Sequence, residues 1–315
     1  MKILVTGGAG FQGSHIVEYL LMKDHQVTIL NHRSEIAERN ISSFRDKVSV
    51  IWGSVTDKIL VESLVPKHEI VLHLAAKVHV DESIINPFLY LQKNVDGTFR
   101  ILEAIKKCQK NRPRLIYWSS CEVYGEPTKG KLSESSELRP QSPYAATKAA
   151  ADCLCAAYCK TYGLEITTVR PFNIFGERQK IGIYGSLIPT MVENAINKKP
   201  LIIFGSGKQT RDYTYISDLV SIFEIVFNHR ELAGEVINFA SGTNTPIVDI
   251  AKYIAKQFKA KIIYVQGRPG EVMKFPADIS KAKKLGFKPK VSIWAGIDRY
   301  INWRLLQKSL LPAPS

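Results

Sequence analysis

Apolar residues in the first half of the chain fall in short unbroken runs. Lys2–Thr6, residues 26–30, 48–51 and 70–74, and Arg114–Trp118 are such runs. A short continuous apolar run bounded by turn residues marks a strand buried on both faces. Between the runs, apolar positions recur every three or four residues, which predicts helices over residues 11–23, 87–107 and 144–162. Strands alternating with helices imply a parallel sheet with right-handed crossovers. Ligands in such sheets sit at the carboxyl ends of the strands. After Arg170 the pattern shortens, to a helix over 188–197, a strand at Leu201–Phe204 and the turn Gly205-Ser206-Gly207. No repeat, low-complexity tract or linker intervenes. The pattern therefore predicts a first domain over 1–170 and a second unit over 171–311, with some chain crossing back to the first sheet. The tail at 312–315, with Pro312 and Pro314, is expected to lie outside the fold.

The first strand runs directly into Gly7-Gly8-Ala9-Gly10-Phe11-Gln12-Gly13. Gly7 suits a tight turn, Gly10 lets backbone approach a pyrophosphate, and Gly13 lets helix and strand pack closely. The helix beginning near Phe11 and Gln12 presents unpaired amides to phosphates. A lone glycine pattern says little, but one between a strand and a helix predicts a dinucleotide site. The second strand ends in Asn31-His32-Arg33, where a carboxylate would bind ribose hydroxyls and repel a 2′-phosphate. That barrier is missing, and Arg33 could pair with a phosphate, so NAD and NADP both remain open. Ser54 and Val55 after the third strand, and Leu74, Ala75 and Ala76 at the end of the fourth, leave room for a cofactor.

One stretch carries the chemistry. In Pro143-Tyr144-Ala145-Ala146-Thr147-Lys148, a tyrosine and a lysine stand four apart on one helix face. A lysine ammonium beside a phenol lowers its pKa, which would make Tyr144 a general base near neutral pH. A solvated helix face is the plain alternative. The fifth strand, however, leads into Ser119-Ser120-Cys121-Glu122-Val123-Tyr124-Gly125.

Together these segments resemble an extended short-chain dehydrogenase/reductase of the nucleotide-sugar epimerase and dehydratase group, similar to UDP-glucose 4-epimerases. The likeness continues through Arg170-Pro171-Phe172-Asn173, Arg211-Asp212-Tyr213, Arg268-Pro269-Gly270-Glu271 and residues 277–282. It implies an α/β fold, a Rossmann doubly wound parallel sheet with a smaller C-terminal α/β substrate-binding domain. It implies NAD as cofactor, with NADP possible. Tyr144 would take the proton from the sugar 4-hydroxyl, and Ser120 would hydrogen-bond the same oxygen. Lys148 would hold the nicotinamide ribose and lower the Tyr144 pKa, and Asn94 would support the nicotinamide end. Asn173, Arg211 and Arg268 would contact the nucleotide diphosphate, a task suited to guanidinium forks. A homodimer pairing the helices at 87–107 and 144–162 is also implied, with Ala149, Ala150, Ala156 and Ala157 permitting close approach.

The branch after the 4-keto stage depends on few residues. Glu122 stands two after Ser120, where dehydratases of this group place an acid, and His79-Val80-Asp81-Glu82-Ser83 resembles their loop. Cys121 stands where some of them place an aspartate, and the segment from Arg170 to Asp218 looks more like the epimerases. The sequence thus favours a 4-epimerase acting on a UDP-hexose. A 4,6-dehydratase or a UDP-glucuronate decarboxylase using Glu122 is the alternative. An NADP-dependent keto-sugar reductase and a non-catalytic cofactor-binding regulator stand further off; intact Ser120, Tyr144 and Lys148 argue against the latter.

Composition narrows the partners. The 315 residues are 45% hydrophobic and 23% charged, ordinary for a globular enzyme. No apolar run approaches the roughly 20 residues that span a bilayer. His15 and Glu18 follow the glycine turn and make a poor leader peptide. Five cysteines show neither a disulfide framework nor a zinc spacing, so no metal is expected and a reducing cytoplasm is. The formal charge of +14 comes from dispersed lysines, in loose clusters at 106–114 and 281–290 and without interleaved aromatics. That favours an anionic small ligand over nucleic acid.

Overall fold

Each apolar run of the first half forms a strand in the computed structural model, which describes residues 1–182, 185–267 and 272–309. The strands are β1 (Lys2–Thr6), β2 (Gln26–Asn31), β3 (Ser49–Trp52), β4 (Ile70–His73), β5 (Arg114–Trp118) and β6 (Ile166–Pro171). The second half adds β7 (Asn173–Phe175), β8 (Leu201–Phe204), β9 (Thr210–Tyr215), β10 (Val236–Phe239), β11 (Asn244–Pro246) and β12 (Ile262–Val265). Seven strands make one parallel sheet in the order β10-β6-β5-β4-β1-β2-β3. The chain leaves β1 toward β2 and β3, then returns to β4 on the other side. That reversal opens a crevice beyond the carboxyl ends of β1 and β4, which pair with Thr6 opposite His73. Every residue of β4, β5 and β6 is buried, which is why these strands read as continuous runs. This is the doubly wound Rossmann architecture.

The helix Pro143–Tyr162 starts where Ser142 accepts a hydrogen bond from the Ala145 amide (3.1 Å) and stops at Gly163 in the left-handed region. Its inner face carries Tyr144, Lys148, Ala151, Asp152 and Cys155 at helical spacing. The helix expected over 87–107 is broken in character. An α-turn at Pro87–Tyr90 passes into a π segment, Leu91–Asp96, and then into an α-helix, Gly97–Lys107. A π turn carries one residue more than an α turn. Here it accompanies Asn94, whose side chain is buried and bonded to neighbouring segments.

In the second half, β11-β9-β7 form a three-stranded sheet and β12-β8 a parallel pair, while β10 joins the edge of the large sheet beside β6. The helix Ile216–Asn228 packs on the helix Phe11–Met22, with the Tyr19 and Phe223 rings edge to face at 5.9 Å. One apolar core therefore runs through residues of both halves. Among the described residues, no helix is long and apolar enough to cross a membrane, and no group of three His, Cys, Asp or Glu side chains could hold a metal ion.

Candidate active site

The glycine turn closes the base of the crevice. Gly7 has a φ of +76°, and a Cβ there would sit 2.8 Å from the Ala75 nitrogen. A Cβ on Gly13 would lie 2.3 Å from the Gly7 oxygen, so the turn and the helix meet too closely for any side chain. The Ser14 amide bonds the Gly10 carbonyl (3.0 Å). Helix geometry then leaves the amides of Phe11, Gln12 and Gly13 directed at the crevice. A cavity of about 390 Å³ lies above them. Gly7, Gly10, Phe11, Gln12, Gly13, Asn31, Val55, Leu74, Ala75 and Ala76, all expected at the cofactor, line it; His32, Lys77, Val78 and Lys93 join them unannounced by the sequence.

Five expected cofactor residues do not line the cavity: Tyr144 and Lys148 stand beside it, and three stand elsewhere. Arg33 turns outward to Glu38 (2.7 Å) with its side chain 72% exposed. An exposed ion pair is worth little, but it occupies the guanidinium away from the cavity. Ser54 sits behind the lining, bonded to Thr56 (2.7 Å) and accepting from Lys93 (3.3 Å). Asn94 spends its amide on structure. Its oxygen accepts the Lys77 amide (2.8 Å), and its nitrogen donates to the Lys77 carbonyl and the Thr147 hydroxyl, both at 3.0 Å. It ties the loop after β4 to the Tyr144 helix.

Ser120, Tyr144 and Lys148 converge beside the cavity, at the end of β5. The Ser120 hydroxyl accepts the Glu122 amide (3.2 Å) and so shapes the turn Cys121–Tyr124. The Tyr144 amide donates to Ser83 (3.0 Å), and the Tyr90 ring stands edge-on to the phenol ring at 6.3 Å. Lys148 donates to the Trp118 carbonyl (2.6 Å) and lies 4.5 Å over the Tyr117 ring. Burial, rather than the expected lowering by Lys148, dominates the phenol. Burial holds Tyr144 above its ordinary range, opposed by a hydrogen bond with Ser120, while Glu122 and Cys121 push it further up. Burial also pulls Lys148 down to about 8, against Asp152 and Cys155, which raise it. The ammonium needs partners of its own in this dry site, and the Trp118 carbonyl is the one it takes.

Glu122 is half-buried, and its partial loss of water raises its carboxyl; the Arg211 guanidinium opposes the rise. Among the described residues its carboxyl oxygens accept no hydrogen bond. Cys121 beside it is buried, its thiol well above the usual range. Asn173 and Arg211 come from adjacent strands, β7 and β9, where Asn173 faces Tyr213. Asn173 donates to the Asp212 carbonyl (3.5 Å), and Arg211 lies over Phe275 at 5.3 Å. Asp212 does not pair with Arg211; its carboxylate takes the Ser241 amide (2.8 Å) and hydroxyl (2.7 Å). Arg268 lies outside the described residues.

Sequence reasoning missed the support behind Lys148. Asp152, one turn along the helix, receives Arg170 Nε at 2.6 Å, with both side chains under 8% exposed. Arg170 also donates to the Tyr124 hydroxyl (2.9 Å), which donates to Asn238 (2.6 Å). The four-residue step from Lys148 to Asp152 was the available signal.

A family profile described as GDP-mannose 4,6 dehydratase matches residues 4–300. A dTDP-glucose 4,6-dehydratase of an Actinoplanes species is 32% identical, over 98% of this chain and 99% of its own. A UDP-N-acetyl-alpha-D-glucosaminuronate decarboxylase of Bacillus cytotoxicus is 33% identical, over 96% and 97%. The crystal structure of a UDP-glucuronic acid 4-epimerase from Bacillus cereus, with UDP-glucuronic acid and NAD, superposes with a TM-score of 0.90 at 32% identity, over 98% and 100%. Three different reactions are thus named on chains equally similar to this one.

Proposed function

The chain belongs to the extended short-chain dehydrogenase/reductase family of nucleotide-sugar epimerases and dehydratases, and on that premise we propose that it oxidises carbon four of a nucleotide-linked hexose and then uses Glu122 at carbon five, as a 4,6-dehydratase. A nicotinamide dinucleotide fits the cavity: small residues floor it, open amides face its pyrophosphate end, and lysines flank it. When bound, its oxidised ring accepts hydride from carbon four, returns it later, and brings a positive charge toward Tyr144. Burial holds the phenol up, and that charge, together with the Lys148 ammonium, would favour its phenolate. Tyr144 takes the 4-hydroxyl proton, Ser120 steadies the same oxygen, and Lys148 holds the cofactor ribose.

A carbonyl at carbon four acidifies the hydrogen at carbon five. Glu122 takes that proton and hands it to the carbon-six hydroxyl, which leaves as water; the hydride removed in the first step would then go to carbon six, and a solvent proton to carbon five. The observation that carries this reading is the Glu122 carboxyl itself. A carboxylate that merely ordered its turn would spend its oxygens on nearby amides, yet Ser120 supplies that bond. A half-buried carboxyl, raised by that burial and without a structural partner among the described residues, is suited to proton transfer. The 4-epimerase favoured by the sequence remains the second reading. Cys121 supports it, because this strand end offers no second carboxylate to protonate a leaving hydroxyl. UDP-hexoses are the first substrates to test, since two of the three relatives named above carry UDP in their names.

The assembly we infer is a homodimer. Leu91 and Phe99 are exposed, as are Ala146, Ala150, Cys153 and Ala157, a small-residue stripe along one face of the Tyr144 helix. Ala149 does not belong to that stripe; it is buried within its own subunit.

The test is incubation with UDP-glucose, UDP-glucuronate, dTDP-glucose and GDP-mannose in heavy water, followed by product chromatography and mass analysis. A 4-keto-6-deoxy sugar with deuterium at carbon five is the expected result. A 4-epimer with no deuterium would establish the second reading instead.

A further inference from the structure

Asn238 and Arg170 stand opposite one another on the paired strands β10 and β6, so their side chains leave the sheet on the same face. Both reach the Tyr124 hydroxyl, which donates to Asn238 Oδ1 (2.6 Å) and accepts from Arg170 (2.9 Å). The Arg170 guanidinium also lies 4.8 Å over the Tyr124 ring. All three side chains are buried. No proton transfer at carbon four or carbon five uses Tyr124, yet its hydroxyl is satisfied both as donor and as acceptor in a dry interior.

What that hydroxyl holds is the turn that carries Glu122. The turn's own bonds are long: the Glu122 amide meets the Ser120 hydroxyl at 3.2 Å, the Gly125 amide meets the Glu122 carbonyl at 3.3 Å, and the Val123 amide meets the Ser120 carbonyl at 3.5 Å. These lengths lie at or beyond the far end of the usual N–H···O range. The placement of Glu122 therefore falls to anchors at the two ends of the turn, Ser120 at one and the Tyr124 side chain at the other. On its far side Asn238 is fastened to the second half of the chain. Its amide nitrogen donates to the carbonyls of Leu132 (2.9 Å) and Asp278 (3.3 Å). Leu132 pairs with the segment before Asp278, its amide on the Pro276 carbonyl (2.8 Å) and its carbonyl under the Asp278 amide (2.9 Å). That segment includes Phe275, the buried ring beneath Arg211. One hydroxyl thus joins the turn bearing the carboxyl to the wall bearing the guanidinium that acts on it.

We propose that Tyr124 is a positioning residue which, through Asn238, sets Glu122 against the Arg211 wall for proton removal at carbon five. The proposal rests on the carbon-five role of Glu122 given above. The step at carbon four stands on other supports, since Tyr144 is held by Ser83 and Lys148 by the Trp118 carbonyl. Arg170 keeps its bond to Asp152 without Tyr124. A displacement of about 1 Å in a reacting group can cost about a hundredfold in rate. Loosening Tyr124 should therefore slow the second step and spare the first.

The experiment is single-turnover stopped flow in heavy water, with the Tyr124→Phe holoenzyme and the first of UDP-glucose, dTDP-glucose and GDP-mannose that the wild type converts. Phenylalanine keeps the ring under Arg170 and removes only the hydroxyl. Near-ultraviolet absorbance should rise within about threefold of the wild-type rate, as hydride leaves carbon four, and decay roughly tenfold to a hundredfold more slowly. Deuterium entry at carbon five should slow with the decay. Asn238→Ala cuts the fastening on the other side, leaves Tyr124 with Arg170, and should show the same split. A folded Tyr124→Phe protein that slows both phases alike, or neither, overturns the proposal. If that protein does not fold, the Asn238→Ala phases decide by the same criterion. Failure of both variants to fold also overturns it, because the contact would then serve stability alone. A wild-type product without deuterium at carbon five removes the reading of Glu122 and this proposal with it, whereas label in the wild type beside an unselective Tyr124→Phe removes only the role of Tyr124.

Discussion

Replacing Glu122 by Gln separates chemistry from structure at one position. The carboxyl oxygens accept no hydrogen bond from the described residues, so the amide breaks none. The melting temperature should therefore move by no more than about 2 °C, the size of a surface-like change in a chain of this length. The first half-reaction should survive as well. Glu122 is one of the groups that push the Tyr144 phenol up, so its removal makes that base easier to form. Proton removal at carbon five is different, because a neutral amide cannot accept the proton. Losing a general base costs about a hundredfold to ten-thousandfold, or about 2.7–5.4 kcal/mol of barrier. Glu122→Gln should then oxidise the sugar and stop. Reduced cofactor would accumulate, up to one per subunit, visible by its near-ultraviolet absorbance in a stopped-flow trace. Turnover within threefold of wild type, with no absorbance rise and no deuterium in the wild-type product, would refute the role of Glu122 and return the enzyme to the epimerases.

Other substitutions probe the rest of the site. Tyr144→Phe should keep substrate and cofactor affinity and lose about a hundredfold or more in turnover, measured by product chromatography; near wild-type turnover would remove Tyr144 from the base role. Lys148 titrates near 8, so its ammonium is present below that pH and lost above it, and kcat/KM should fall as pH rises through about 8. Asp152 raises that value, so Asp152→Asn should move the alkaline limb to lower pH. It should also destabilise the fold by about 3–5 kcal/mol in denaturant titration, because Arg170 is left buried without its partner; an unmoved limb would confine Asp152 to a structural role. Phe99→Glu on the exposed face of the Gly97–Lys107 helix should convert the dimer to monomer by light scattering; a wild type that is monomeric at micromolar concentration would exclude the dimer.

Local pattern alone determined much of this protein. The glycine turn is legible because Gly7 takes a left-handed φ of +76° and Gly13 meets the Gly7 carbonyl six residues back, where no side chain fits. The parallel sheet is legible because strands buried on both faces must be apolar throughout. Tyr144 and Lys148 share a face because helix geometry puts i and i+4 there. Tertiary structure decided where long charged side chains go, since each has several reachable partners and takes the one the fold brings near. Arg33 met Glu38 on the surface, whereas Lys93 reached across to Ser54 and Thr56. The same holds for Lys148, which turned to the Trp118 carbonyl because burial left it short of partners, and for Glu122, which the fold half-buried without supplying one. The π segment around Asn94 depends on bonds to Lys77 and Thr147, 17 and 53 residues away, and no local periodicity records them.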